Sequence, residues 1–109
     1  MSEIVRTFGA LVVLAKAVRI PDCDPALLDR DIAERIGGDW NFASAVQWLT
    51  GSKARAVVDG LTDKGTFAGL HKEDMLTLLD LAQTACQAAT GDAGDLLAKL
   101  RYPLDKTAA

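Results

Sequence analysis

Glycine and proline stops cut this 109-residue chain into short pieces, and each piece repeats its apolar residues at helical spacing. Pro21, the pair Gly37-Gly38, Gly51, Gly65 with Gly69, Gly91 and Pro103 are the stops. A stop every twelve to twenty-two residues, with apolar positions three and four apart between stops, admits helices packed side by side and little else. Alanine and leucine are abundant and aromatics are 6% of the chain, a mixture that costs little side-chain entropy in a helix. The predicted fold is an all-α bundle of five to six helices, with one long helix over about 72–89 packed with shorter ones. Residues 1–103 form a single domain, and 104–109 form a frayed tail.

The first helix is predicted over 3–19, with Ile4, Val5, Phe8, Leu11, Val12, Ala15 and Val18 facing the core and Arg6, Lys16 and Arg19 facing away. In the second, Asp24 is the N-cap, Pro25 the first helical residue and Gly37-Gly38 the end, with Leu28, Ile32, Ala33 and Ile36 inward. Asn41 caps a third helix over 42–50, with Phe42, Ala45, Val46 and Leu49 inward. Gly51 ends it, and Ser52 caps a fourth over 53–60. A break at Gly51 is required, because an unbroken helix would point Ala54, Val57, Val58 and Leu61 away from the stripe of the third. Residues 62–71 are predicted as a loop with Phe67 and Leu70 as plugs. Met75, Leu78, Leu79, Ala82, Ala85, Cys86 and Ala89 share one face of the long helix. Asp92 caps a last short helix through Leu96, Leu97 and Leu100.

Composition also narrows function. The net charge is −3, an unfavourable start for neutralising phosphates, so nucleic acid is disfavoured as a partner. Residues 22–39 carry six carboxylates against two arginines, while 52–72 carry four basic groups against two acidic ones. The chain therefore has a mildly two-signed surface. The apolar run at 8–15 is too short to span a bilayer and is bounded by Arg6, Lys16 and Arg19, which predicts a cytoplasmic protein with no membrane association. Cys23 and Cys86 are read as free thiols.

No catalytic constellation is present. His71 is the single histidine, which excludes paired-histidine metal motifs, and it is read as a helix-start residue. The stretch Gly60-Leu-Thr-Asp-Lys-Gly65-Thr66 has the glycines of a phosphate loop without the lysine that must follow the second. Asp29 and Asp31, two apart on a helix, face different directions and lack the spacing of a calcium loop. The expectation is a non-enzyme with no cofactor, no metal and no catalytic residues.

Two constellations stand above this background. Ile32-Ala-Glu-Arg-Ile-Gly37, followed by Ala45-Val46-Gln47-Trp48-Leu49, resembles the helix-turn-helix of bacterial repressors over residues 31–51. That resemblance implies a DNA-binding regulator with Asn41, Ser44 and Gln47 as contacts and Lys53 and Arg55 close by. The turn through Gly38-Asp39-Trp40-Asn41 is about two residues longer than the family's, and the would-be reading helix carries no lysine or arginine. A pattern from Leu27 to Leu49 is also similar to a small phage-encoded α/β family. Nothing after Gly51 supplies the strands of that family, so the resemblance implies at most a phage or mobile-element relation.

The second constellation is aromatic. Trp48 falls about 100° from the centre of the third helix's inward stripe, in line with Ser44, and Trp40 lies just before the cap. Beside the acidic helix carrying Asp29 and Asp31, these residues form a candidate protein-binding surface, because tryptophan is enriched in interface hot spots. On that reading Trp48→Ala leaves the fold intact. The preferred function is a protein-interaction module: an adaptor, an inhibitor or a regulatory subunit. Its expected partner is another protein, with a second copy of the chain in a homo-oligomer as the alternative.

Overall fold

The computed structural model describes residues 3–19, 24–62, 64–67, 69–89 and 94–100. The chain runs α1 (Glu3–Arg19), α2 (Pro25–Arg35), α3 (Phe42–Leu49), α4 (Ser52–Asp59), β1 (Thr66–Phe67), β2 (Leu70–His71) and α5 (Lys72–Ala88). A sixth helical stretch follows over residues 94–100. The architecture is the all-α bundle that the spacing predicts. Cys23, Pro21, Gly91, Asp92, Pro103 and the tail lie outside the described residues.

α1 is the central strut and touches α2, α3, α4 and α5. The side chains it buries are Thr7, Ala10, Leu11, Val13, Leu14, Ala15 and Ala17. This corrects the predicted stripe: Leu11 and Ala15 are inward, whereas Ile4 is 57% and Val5 43% exposed. The reason is that α1 is apolar round most of its circumference and so offers two overlapping stripes. Surrounded by partners, it turns inward the stripe richer in alanine, which lets neighbouring helices come close. Gly9 serves the same end, since a Cβ there would lie 3.0 Å from Ile36 Cγ1 where α2 ends against α1.

The short helices follow their local signals closely. The Asp24 carboxylate accepts from Ala26 N at 3.0 Å and Pro25 opens α2, which buries Leu28 and Ile32. Asn41 Oδ1 accepts from Ser44 N at 2.8 Å, and α3 buries the predicted Phe42, Ala45, Val46 and Leu49. The break at Gly51 is present, but Gly51 itself occupies the cap position and Ser52 is the first helical residue. α5 buries Met75, Leu78, Leu79, Ala82 and Ala85, with Cys86 and Ala89 at the margin of the core. In the last stretch Leu96, Leu97 and Leu100 are buried.

The predicted loop before α5 is a miniature antiparallel hairpin, pairing Thr66 with His71 and Phe67 with Leu70. Gly69 makes it possible by adopting φ +81°, a conformation side-chain-bearing residues rarely take. Leu70, 3% exposed, anchors the hairpin in the core, and Lys72 N closes its base by donating to Gly65 O at 3.1 Å. The Lys72 ammonium donates to Asp59 O and Leu61 O, capping the carbonyl end of α4. Phe67 is not a plug: it is 43% exposed and stacks on Phe8 with ring centroids 4.6 Å apart. Among the described residues, no helix is long and apolar enough to cross a membrane.

Candidate functional site

The two tryptophans come together at one edge of the bundle. Their rings meet edge to face with centroids 6.0 Å apart, and both are half-buried against the core. Trp48 sits on the flank of α3, and α3 lies on α1, so its indole reaches the α1 side chains. Its Nε1 donates to the Thr7 hydroxyl at 3.0 Å, and that hydroxyl donates to Glu3 O at 2.7 Å. Trp40 is carried back by a turn in which its N–H donates to Gly37 O. The Arg6 guanidinium lies 5.2 Å from the Trp40 ring and 5.4 Å from the Trp48 ring. Arg6, predicted to face solvent, is thus drawn over the electron-rich faces of two indoles. Its Nε is buried, with no hydrogen-bond partner among the described residues.

The acidic half of the predicted surface is committed inside the chain. Asp29 Oδ1 accepts from Phe42 N at 2.8 Å, so a carboxylate on α2 caps the start of α3. Asp31 accepts from Lys16 Nζ at 2.9 Å and lies 3.6 Å from Arg35 Nε. Neither is a free solvating charge. Ser44 is half-buried and donates its hydroxyl to Asn41 Oδ1 at 3.0 Å.

Of the residues named for DNA contact, Asn41 and Ser44 are bonded to each other, while Lys53 and Arg55 pair with carboxylates of other helices. Asn41 is occupied as a cap, and Gln47 is the one exposed residue of α3. Lys53 Nζ lies 3.8 Å from Glu3, and Arg55 forms a 2.7 Å pair with Asp80. His71 starts α5, where its N–H donates to the Asp74 carboxylate at 3.2 Å. Burial pushes the Cys86 thiol up, and it borders an opening with Thr50, Gln83 and Gln87. No group of three or more His, Cys, Asp or Glu side chains is placed to hold a metal among the described residues.

A different surface stands out on α1. Ile4, Val5, Phe8 and Val12 form the floor of an apolar groove of about 290 Å³, with Phe67 of the hairpin on one side and Arg35 of α2 on the other. The α1 periodicity puts these four residues within one face about 100° wide, and the helix's second apolar stripe has taken the core position instead. Exposed apolar side chains scattered singly are ordinary, but a contiguous run between two walls is a feature of interaction surfaces. The sequence held a signal for it: in α1 the polar positions are few, so one buried face cannot use all its apolar residues. Phe67 had no such signal, because the hairpin that presents it is too short to show alternation.

Comparison with protein-family models, with curated proteins and with solved structures yields no match to this chain.

Proposed function

We propose that this protein is a small non-enzymatic interaction module, an adaptor, inhibitor or regulatory subunit, that grips a protein partner through the groove between α2 and the hairpin. One observation carries the proposal: Ile4 (57%), Val5 (43%) and Phe67 (43%) leave large apolar surface in water around one concavity. Fully burying such a side chain contributes about 1.5–3 kcal/mol, so covering three half-exposed neighbours gives a useful part of a binding free energy. The concavity has one charged residue in its lining, Arg35, which suits docking better than acid–base chemistry.

The test is the double variant Ile4→Asp with Val5→Asp. Both positions are exposed, so its melting temperature should stay near that of wild type. Affinity capture from the source cell, quantified by mass spectrometry, should lose a specific partner in the variant. An unchanged set of captured proteins removes the groove from consideration. The DNA-binding alternative has less to build on, since α3 offers Gln47 as its exposed residue. A steep fall in duplex DNA binding with added salt would favour that alternative.

A further inference from the structure

Resting on the groove being the interface, we infer that its occupant is an acidic amphipathic helix of another protein. The floor is a helix on which exposed Ile4 and half-buried Phe8 and Val12 follow one another at four-residue spacing. A second helix laid along such a ridge seats its own side chains between those of the first, anchored at i, i+4 and i+7.

Charge selects the acidic class. One turn beyond Val12 the same line of α1 reaches Lys16, and Arg35 stands on the α2 wall. Asp31 is the one carboxylate that both cations share among the described ion pairs. It accepts a hydrogen bond from Lys16 at 2.9 Å but lies 3.6 Å from Arg35 Nε, beyond hydrogen-bonding distance. The outer guanidinium edge of Arg35, 46% exposed as a side chain, is left to fork a carboxylate. At the opposite end Lys53 lies 3.8 Å from Glu3. The groove therefore runs from an end where one cation meets one carboxylate to an end where Lys16 and Arg35 share Asp31, on a chain whose net charge is −3.

Size argues against a second copy of the chain. A stable dimer covers roughly 20–30 residues a side. The groove is lined by seven residues, several of them already half-buried.

Two short helical peptides with the same leucine face provide the test, one flanked by glutamates and the other by lysines, both read by fluorescence anisotropy. The glutamate peptide should bind wild type about tenfold or more tighter than the lysine peptide. Phe67→Ser should weaken it about tenfold, and Arg35→Glu should turn the preference toward lysine. Thermal melts confirm that both variants fold. Equal binding of the two peptides, a lysine preference on wild type, or an unchanged preference in Arg35→Glu overturns the acidic class. So does failure of both peptides to bind. Sedimentation that shows a dimer lost in Phe67→Ser makes the occupant a second copy, which keeps the groove as an interface and sinks the acidic helix. The groove itself stands or falls separately, on the capture experiment with Ile4→Asp and Val5→Asp.

Discussion

Trp48 and Thr7 are joined across two helices by a 3.0 Å hydrogen bond from the indole N–H to a hydroxyl that is itself fully buried. Thr7 satisfies its own proton on Glu3 O one turn earlier in α1. The indole thus supplies the donor that a buried oxygen would otherwise lack, while its ring covers Arg6 and meets Trp40. This makes Trp48 part of the α1–α3 joint.

Trp48→Ala should accordingly destabilise the fold by about 2–4 kcal/mol, somewhat below the range for deleting a fully buried aromatic. Trp48→Phe keeps a ring and loses one neutral hydrogen bond, so it should cost about 1 kcal/mol. Urea unfolding of both variants checks the pair. A Trp48→Ala variant as stable as wild type would return this residue to the free surface on which the sequence alone had placed it.

In α5, Leu79 is 1% exposed, whereas Thr77 and Asp80 are exposed. Leu79→Ala should cost about 2–5 kcal/mol. Thr77 bonds back to Glu73 O, so its alanine variant loses little and gains helix propensity. Asp80 pairs with Arg55 in the open, and losing an exposed ion pair should cost less than about 1 kcal/mol. Three similar melting temperatures would show the helix to be rotated from this phase.

What the sequence disclosed tracks how much each segment signals locally. α3 is short, capped at one end by Asn41 and stopped at the other by Gly51, so its four inward residues were legible. α1 was legible as a helix but not in phase, because an apolar circumference fits several rotations and only the neighbours choose among them. The hairpin was hidden for want of length, since two-residue strands cannot display a period of two. Arg6 was misplaced for a further reason. A cation reads as solvent-facing, and its settling over Trp40 and Trp48 depends on chain segments remote in sequence. Asp29 likewise gave no sign that its carboxylate would serve another helix.

Cys86 should behave as an unreactive thiol near neutral pH. Burial disfavours the thiolate, which raises its pKa. In a Cys23→Ser background, iodoacetamide labelling at pH 8 should be slower for the folded protein than in urea, and should rise as pH climbs past the ordinary thiol range. The sign for stability follows from linkage. With the folded pKa above the unfolded one, this contribution is complete below the unfolded value and is lost as pH rises toward the folded one. Equal labelling in both states would contradict the burial.

The Asp29 carboxylate is the other joint, between α2 and α3. It accepts the Phe42 N–H at 2.8 Å, one of the N-terminal donors that a helix cannot satisfy internally. Asn41 meets the Ser44 N–H, so the two side chains divide the first turn of α3 between them. A hydrogen bond to a charged acceptor contributes about 1.5–3 kcal/mol, and Asp29→Ala should cost about that much. Asp29→Asn keeps an acceptor at the same reach without the charge, and should cost about 1 kcal/mol. Urea unfolding gives the two values, and amide hydrogen exchange at Phe42 should quicken more in the alanine variant. If Asp29→Ala keeps full stability and slow exchange at Phe42 while partner binding falls, Asp29 belongs to the interaction surface and not to the joint.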